Sequence, residues 1–205
     1  MELLITIFYS YLSGSIPFGL ILTKTFIGRD VREIGSGNIG ATNVFRTGSK
    51  ALAIFTLLLD IAKGFVPVII TQKIFPEYIQ ISCLIVFLGH IFPIWLKFKG
   101  GKGVATYLGV LFALSYEIAI LFIFTWIVIL LIFKFSSVSS IFSSLTVFIV
   151  TFFREGIGKV INPNFDYSSN IKILMFIFFV LIVFTHRANI YNLKNKKEKK
   201  NKNLD

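Results

Sequence analysis

The feature that most constrains this chain is its series of long apolar stretches. A membrane-crossing helix needs about 20 mostly apolar residues. Stretches close to that length run through 3–22, 51–71, 78–96, 104–133, 138–153 and 171–185. Of the 205 residues, 55% are hydrophobic and only 15% are charged, and a soluble chain of this size has too little interior to bury so much Phe, Ile and Leu. The sequence therefore predicts an all-α polytopic membrane protein and excludes a soluble enzyme, a disordered chain and a disulfide scaffold.

The longest apolar stretch, 104–133, is too long for one straight span. As a single helix it would measure about 45 Å, against a hydrocarbon core of about 30 Å. Ser115, Tyr116 and Glu117 interrupt it near the middle. We therefore predict two helices joined by a tight turn at this point, which brings the number of transmembrane helices to seven.

Positive charge sorts to one side in this seven-span arrangement. With the N-terminus outside, the inner loops are 23–50, 97–103, 134–137 and 186–205, and these hold 16 of the 21 Lys and Arg residues. Cytoplasmic loops carry such an excess, so the N-terminus is predicted to lie outside and the C-terminus in the cytoplasm. We expect one membrane-embedded domain over 1–193 and a basic, disordered tail over 194–205.

The first inner loop is dense in glycines and hydrogen-bond donors. It reads Gly35-Ser36-Gly37-Asn38-Ile39-Gly40-Ala41-Thr42-Asn43 and is followed by Arg46. Positions 35–40 satisfy G-x-G-x-x-G, but no buried strand precedes them, so a dinucleotide site is not indicated. Glycines let backbone N–H groups approach an anion, and arginine can hold a phosphate through two parallel hydrogen bonds. The pattern favours a phosphate-binding loop, and a flexible linker between helices is the alternative.

A second glycine turn, Gly100-Gly101-Lys102-Gly103, follows the third apolar stretch. It is not a Walker A motif, because Leu96 stands where the first glycine belongs and Gly103 replaces the Ser or Thr. Lys102 nevertheless lies in a glycine turn that opens a helix, which is a favourable place for an anion. Lys97 and Lys99 are interpreted as orientation signals.

Ionisable groups within the spans form a third set of candidates. Asp60 and Lys63 are three residues apart on one helix, so they share a face and are expected to pair for structural reasons. His90, near the inner end of the third span, is equally consistent with packing and with function. Further polar residues lie at the predicted inner ends of the last spans: Ser139, Ser140, His186, Arg187 and Asn189.

The segments that carry these features are 13–19, 35–46, 59–64, 89–106, 139–140 and 186–189. In this order they resemble the bacterial acyl-phosphate:glycerol-3-phosphate acyltransferase family of integral membrane enzymes, and the resemblance covers nearly the whole chain. There are two departures. Ile39 stands where the family usually has Pro, and Ala188 stands where it usually has Glu. Neither position supplies a reactive group, so the departures loosen the pattern only locally.

The resemblance implies a seven-span enzyme of the bacterial cytoplasmic (inner) membrane, with its active site facing the cytoplasm. It implies transfer of a fatty acyl group from acyl-phosphate to the 1-hydroxyl of glycerol 3-phosphate, giving lysophosphatidic acid and phosphate in the first acylation of phospholipid synthesis. Both substrates carry phosphate, which accounts for glycine loops and basic residues on one face. Acyl-phosphate is already activated, so the enzyme mainly has to position two anions and offset their charge.

On this reading the reaction is a direct attack without an acyl-enzyme intermediate. The catalytic set is predicted to be Ser36, Arg46, Lys102 and His186, with Lys102 neutralising the acyl-phosphate. The residues expected to bind substrate are Asn38, Thr42, Asn43, His90, Ser139, Ser140 and Asn189. The base that takes the hydroxyl proton stays open between His186, His90 and a phosphate oxygen of the substrate.

The strongest alternative is a transporter or channel for an organic phosphate, since broken helices and basic loops would suit it too. Its polar groups would be expected near the bilayer midplane, whereas here only Asp60 and Lys63 lie deep. No cluster has metal-ligand spacing, so no metal or cofactor is expected. The expected partners are the two substrates and membrane lipids rather than nucleic acid, and a monomer is expected to suffice.

Overall fold

The structure is a computed structural model that describes residues 1–157 and 169–195, and these residues form helices joined by turns and loops. The first group of helices is α1 (Glu2–Ser15), α2 (Phe18–Ile27), α3 (Ala41–Phe45), α4 (Lys50–Ile74), α5 (Ile79–Ile91) and α6 (Val104–Leu114). The later helices are α7 (Tyr116–Phe133), α8 (Ser136–Ile157), α9 (Ser169–Thr185) and α10 (Arg187–Lys194). Three short 3₁₀ helices complete the pattern at Val31–Glu33, Pro76–Tyr78 and Ile94–Leu96.

Among the described residues, five helical segments are long and apolar enough to cross a membrane. They are Glu2–Ile27, Lys50–Ile74, Pro76–Leu96, Tyr116–Phe133 and Ser136–Phe153, and the pair α9–α10, bent by 54°, would be a sixth. The predicted all-α, multi-pass class is thereby confirmed. Helix α6 has 11 residues, or about 16 Å, so length alone does not make it a seventh span, and the count of seven stays a prediction.

Two breaks in the apolar stretches follow from local sequence. The first stretch separates into α1 and α2 at Ile16-Pro17, because proline has no N–H to continue the helical hydrogen bonds. The long stretch 104–133 divides at Ser115, whose backbone is extended and whose N–H closes α6 by donating to Leu111 O at 2.8 Å. The two helices predicted from the interruption at Ser115 are confirmed.

The chain forms two compact units, Met1–Tyr116 and Glu117–Asp205. In the first unit, α1 packs on α5 and α4 packs on α6. Glycines lie at both crossings: a Cβ atom on Gly14 would overlap the Val86 carbonyl, and one on Gly109 would overlap the Ile61 carbonyl. Small residues let membrane helices approach at backbone distance, so these glycines set the spacing of the two helix pairs.

In the second unit, α8 packs on α9 through aromatic rings. The Phe148 ring lies 5.4 Å from Phe176 and is stacked on Phe179 at 6.3 Å, centroid to centroid. Of the tail predicted over 194–205, residues 196–205 lie outside the described part of the chain, as do residues 158–168. The prediction of a single domain over 1–193 is not tested by this division into units.

Candidate active site

The loop before α3 is folded around one buried side chain, Asn43. Its amide nitrogen donates to the backbone carbonyls of Val31, Ile34 and Asn38 at 2.8–2.9 Å, and its Oδ1 accepts from the N–H of Ser36 at 2.9 Å. An amide has two N–H donors and one carbonyl acceptor, so these contacts engage both of its ends. Asn43 therefore shapes the loop, and its expected contact with substrate stays a prediction.

The other predicted residues of this loop lie at its surface. Ser36, Thr42 and Arg46 are exposed, and Asn38 is half-buried. Arg46 lies alongside the turn, since a Cβ atom added to Gly35 would come within 2.7 Å of Arg46 Cδ and 3.2 Å of Nη1. Gly35 has a positive φ of 56°, a conformation that glycine adopts without strain. Hydroxyls, an amide and a guanidinium are therefore displayed together on one ordered turn.

A charged cluster anchors the start of the same loop. The Asp30 carboxylate caps the 3₁₀ helix Val31–Glu33 and accepts hydrogen bonds from Arg32 Nε at 2.9 Å and Arg32 Nη2 at 2.7 Å. Lys24 Nζ lies 3.4 Å from Asp30 Oδ2. The hydrogen bonds from Arg32 hold the pKa of Asp30 well below its usual range. Arg32 is thus engaged in structure, whereas Arg46 is presented at the glycine turn.

The second loop leads from α5 to α6 and folds back on the end of α5. Lys97 and Phe98 have left-handed backbones, and the chain then returns so that Gly100 N–H donates to Ile91 O at 2.9 Å and Gly101 N–H to His90 O at 3.1 Å. Lys102 follows immediately, two residues before α6 begins. The turn therefore holds Lys102 at the N-terminal end of a helix, where an anion is favoured.

Both loops rest on one small apolar core. Residues of the first loop, Val31, Ile39 and Val44, pack with Leu20 of α2, and Leu96 of the second loop packs against the same cluster. A Cβ atom on Gly19 of α2 would overlap the carbonyl of Ile39. The two glycine loops are consequently parts of one packed region of the first unit.

His90 was expected among the substrate-binding residues, but the structure places its ring beneath the second loop. The side chain is buried, its Nδ1 lies 2.9 Å from Thr106 Oγ1, and a Cβ atom on Gly101 would overlap its Nε2. The ring is therefore sandwiched between the start of α6 and the backbone beside Lys102. These contacts support the second loop, and the expected contact of His90 with substrate stays a prediction.

The predicted Asp60–Lys63 pair is confirmed. Lys63 Nζ lies 2.8 Å from Asp60 Oδ1, and both side chains are buried, with exposed fractions of 3% for Asp60 and 2% for Lys63. Lys63 Nζ also donates to the carbonyl of Ile16 at 2.6 Å, at the break between α1 and α2. Asp60 Oδ1 is 4.0 Å from His90 Nδ1. The pair thus connects the break in the first apolar stretch to the base of the second loop.

In the second unit, the serine pair at the start of α8 is largely engaged by neighbouring groups. Ser140 Oγ donates to Ser136 O at 2.9 Å and accepts from the Trp126 indole N–H at 3.1 Å, whereas Ser139 Oγ donates to Phe135 O at 3.0 Å. A hydroxyl has one donor and two acceptor positions. Ser139 therefore keeps more of its acceptor capacity in the contacts described, a distinction that the sequence left open.

His186 lies at the bend between α9 and α10, where it is buried. Its Nδ1 is 2.8 Å from the carbonyl of Ile182, and since a carbonyl only accepts, Nδ1 carries the hydrogen. In the neutral ring, Nε2 then holds the lone pair that a base requires. Asn189, three residues further on, lies on the same helical face as His186 and is half-buried.

Two residues of the first unit were not assigned a role from the sequence. Thr106 holds His90, and Phe87 lies against Gly103, where a Cβ atom would overlap the Phe87 ring. Thr106 belongs to the 89–106 motif, but its partner is visible only once α5 and α6 are packed. Across the described ranges, 1–157 and 169–195, no three His, Cys, Asp or Glu side chains are grouped so as to hold a metal ion.

The sequence pattern of the glycerol-3-phosphate acyltransferase family matches residues 4–196. The chain belongs to this family. A relative named glycerol-3-phosphate acyltransferase from Pelagibacter ubique is 52% identical over 202 residues, covering 98% of this chain and 99% of the relative. A second, from Wolbachia pipientis of Culex pipiens, is 43% identical over 203 residues and covers 98% of this chain and 99% of the relative.

Solved structures of this acyltransferase family agree with the fold. A crystal structure of PlsY, described as an integral membrane glycerol 3-phosphate acyltransferase in its glycerol 3-phosphate form, is 35% identical and superposes with a TM-score of 0.87 over 98% of this chain and 96% of the other. A lysophosphatidic acid form of PlsY is 34% identical, with a TM-score of 0.85, over 98% of this chain and 95% of the other. This likeness and the apolar helices support a multi-pass membrane protein.

Proposed function

We propose that this protein transfers a fatty acyl group from acyl-phosphate to the 1-hydroxyl of glycerol 3-phosphate and releases lysophosphatidic acid and phosphate. The observation that carries the proposal is full-length membership of the glycerol-3-phosphate acyltransferase family. The names of the relatives support acylation of glycerol 3-phosphate. The two forms of the PlsY structures, one with glycerol 3-phosphate and one with lysophosphatidic acid, are in keeping with that substrate and product.

The chemistry needs little more than binding and charge compensation. The 1-hydroxyl oxygen forms a bond to the acyl carbon, the bond from that carbon to the phosphate oxygen breaks, and the hydroxyl proton passes to a base. Phosphate departs readily, so the protein contributes by orienting two anions and stabilising the charge that develops. Donors on glycine turns and cations at helix starts supply both effects.

In the first unit, we assign Arg46 and Ser36 to phosphate and glycerol oxygens, with Asn38 and Thr42 as further donors on the same turn. Lys102 is assigned to the acyl-phosphate. Exposure of Ser36, Thr42 and Arg46 supports these assignments, because a soluble substrate must reach them. Asn43 and His90 act by holding the two loops, since their polar atoms already contact the protein.

In the second unit, we assign Ser139, Ser140, His186 and Asn189 to glycerol 3-phosphate. Nε2 of His186 is a candidate base, because Nδ1 is held as a donor by the carbonyl of Ile182. A phosphate oxygen of the substrate is the other candidate. His90, the third candidate from the sequence, is assigned to support of the second loop, because its ring packs against Gly101 and its Nδ1 contacts Thr106.

We further propose a seven-span chain with an outside N-terminus and a cytoplasmic C-terminus in the bacterial inner membrane, active as a monomer and without a cofactor. The uneven distribution of Lys and Arg between alternate loops supports this orientation. Both glycine loops then face the cytoplasm.

The test of the proposal is a choice between acyl donors. Purified protein is given glycerol 3-phosphate with acyl-phosphate, acyl-CoA or acyl carrier protein, and lysophosphatidic acid is measured. We expect product with acyl-phosphate alone. Product with acyl-CoA but not with acyl-phosphate would overturn the donor assignment, and no product with any donor would overturn the enzyme assignment and favour transport of an organic phosphate.

A further inference from the structure

A buried ion pair within a membrane span calls for a physical reason. Removing two charges from water is expensive, and well-packed apolar residues are often as stabilising as a buried pair. Ionisable residues inside spans are accordingly rare and tend to serve a purpose. Asp60 and Lys63 are too deeply buried to meet a soluble substrate. The contacts of the two side chains indicate a structural purpose.

The contacts of the pair lie at places where helices are interrupted. Lys63 Nζ donates to the carbonyl of Ile16 at 2.6 Å, at the break between α1 and α2. Ser13, in the last turn of α1, donates to the carbonyl of Lys63 at 3.0 Å. A helix break frees backbone carbonyls, which in an apolar interior must find donors among neighbouring protein groups or ordered water. The Ile16 carbonyl accepts from Lys63 Nζ and, at 3.2 Å, from the Phe18 N–H. Lys63 therefore stabilises this break, and Asp60 balances its charge.

The same polar group extends to the second loop through His90. Asp60 Oδ1 is 4.0 Å from His90 Nδ1, and that nitrogen is 2.9 Å from Thr106 Oγ1 on α6. The carbonyl of His90 accepts from Gly101 N–H at 3.1 Å, and the imidazole ring packs directly against the Gly101 backbone. His90 thus contacts the residue immediately before Lys102 through both its main chain and its ring.

The residue after Lys102 is held in the same manner. Gly103 has a φ of 81°, and its α-carbon lies so close to the Phe87 ring that a Cβ atom would overlap it. Phe87 and His90 are three residues apart on α5 and share one face of that helix. Lys102 is therefore bracketed by two glycines, each seated on a buried ring of the same helix face.

From this arrangement we infer that His90 is a positioning residue for Lys102, held in its orientation by the Thr106 hydroxyl and backed by the Asp60–Lys63 pair. The inference rests on the proposed function only for the role of Lys102 in holding acyl-phosphate. The positioning itself does not depend on the proposed function. The orientation of the imidazole fixes the backbone conformation of Gly100–Gly101, and that conformation fixes the direction of the Lys102 side chain. Loss of the Thr106 hydroxyl would leave His90 Nδ1 without this partner and loosen the turn.

The test uses Thr106→Val, which removes the hydroxyl and nearly preserves the shape, with Thr106→Ser as the conservative variant. Ser82→Ala is the matched control, because Ser82 is another buried hydroxyl of the region and pairs with Ser10 at 2.9 Å away from the loop. The purified full-length proteins are compared by hydrogen exchange of peptides covering 97–104. We expect exchange at Gly100 and Gly101 to quicken about tenfold in Thr106→Val, and to stay at the wild-type rate in the other two.

The KM values of the two substrates give a second readout, which a general loss of stability would not change. With Lys102 displaced, KM for acyl-phosphate should rise about tenfold in Thr106→Val, whereas KM for glycerol 3-phosphate stays within twofold. General destabilisation would lower kcat through loss of active protein and leave both KM values unchanged. If Thr106→Val does not accumulate in the membrane, His90→Asn is measured in its place, with the same expectation.

Failure of this inference and failure of the proposed function are distinguishable. Unchanged exchange of the 97–104 peptides in folded Thr106→Val or His90→Asn would overturn the positioning role, whatever the enzyme does. Faster exchange in a protein that makes no lysophosphatidic acid from any donor would support the positioning role and reject the proposed reaction. Faster exchange together with the selective rise in KM supports both.

Discussion

At the scale of single residues, two cations stand apart from the other basic side chains of the predicted inner loops. Arg46 lies along the Gly35 turn and Lys102 opens α6 between two glycines. Lys99 is close to Lys102 in sequence but belongs to an exposed part of the loop. Position within an ordered glycine turn, rather than charge alone, separates these residues.

Substitution of these two cations tests that distinction. We expect Arg46→Ala and Lys102→Ala each to lower kcat/KM for acyl transfer by about 10²-fold or more, since each removes a charge that offsets phosphate. Lys99→Ala is the matched control and should stay within about twofold. Turnover is measured as lysophosphatidic acid formed by purified protein, after confirming that each variant inserts and elutes as the wild type does. Near-normal turnover in both Arg46→Ala and Lys102→Ala would reject the site.

Substitution of Asn43 is expected to lower stability as well as activity, because its side chain shapes the loop. Asn43→Ala leaves the Ser36 N–H and three backbone carbonyls without their amide partner, and a buried unsatisfied group costs about 1–3 kcal/mol. We expect a lower thermal midpoint together with loss of activity. Thr42→Ala, an exposed neighbour, should leave the midpoint unchanged. Equal midpoints for the two variants would contradict the loop-shaping role.

Sequence reasoning at this scale found residue types but not their contacts. The Gly-rich loop, Arg46 and Lys102 were recognisable because glycine turns with donors have a known use for anions. The supporting contacts of Asn43 and His90 were not recognisable. They involve backbone carbonyls of the first loop and Gly101 of the second loop, which approach these side chains only after folding. The distinction between Ser139 and Ser140 depends likewise on the Trp126 indole.

At the scale of elements, backbone-to-backbone approach at glycines organises the first unit. Gly64 and Gly109 lie at the crossing of α4 and α6, and a Cβ atom on either would overlap a backbone carbonyl, of Thr106 and Ile61 respectively. Backbone atoms cannot swing aside as a flexible side chain can. Alanine at these positions must therefore push the two helices apart.

We expect Gly64→Ala and Gly109→Ala each to destabilise the protein by about 1–3 kcal/mol, as overpacking typically does. The control is Leu58→Ala on α4, whose side chain is largely exposed on the outer face of the helix and should have a much smaller effect. Thermal unfolding in detergent is monitored as the loss of soluble protein with temperature, and the midpoints rank the variants by stability. A Gly109→Ala protein as stable as Leu58→Ala would show that the crossing tolerates a methyl group.

Helix breaks were easier to predict than helix lengths. Pro17 breaks the first stretch because it lacks an N–H, and the polar run that starts at Ser115 breaks the long stretch with an extended backbone. Both effects are local, so both breaks are visible in the sequence. The end of α5 at Ile91, within the apolar stretch 78–96, is not visible in sequence, because it depends on the following loop folding back onto Ile91 and His90. How many residues a loop takes from an apolar stretch depends on what it packs against.

At the scale of the whole molecule, the charge distribution predicts which loops face the cytoplasm. The chain has one cysteine, Cys83, and it is buried, so single cysteines can be placed at exposed loop positions. We expect Lys99→Cys to react with a membrane-impermeant maleimide only from the cytoplasmic side and Glu77→Cys only from the outside. The wild-type protein, with Cys83 alone, should remain unlabelled.

The labelling pattern also tests the number of spans. Seven spans place Asn195 on the same side as Lys99, so Asn195→Cys should react from the cytoplasm as well. Reaction of Asn195→Cys and Lys99→Cys from opposite sides would require an odd number of crossings between them. That result would contradict the seven-span arrangement, in which four spans, α6 to α9, lie between the two positions.

The Asp60–Lys63 pair bears on how the protein is assembled in its membrane. Both residues lie on α4, three positions apart, and their contact needs no other helix. The two charges can therefore neutralise each other as soon as this segment becomes helical, before α1 or α6 is in place. A charge whose only partner lay on another helix would have to enter the lipid unpaired, or could insert only after that helix was in place. Pairing within one helix lets α4 insert as an independent unit, and the Ile16 carbonyl and His90 can join the already neutral pair afterwards.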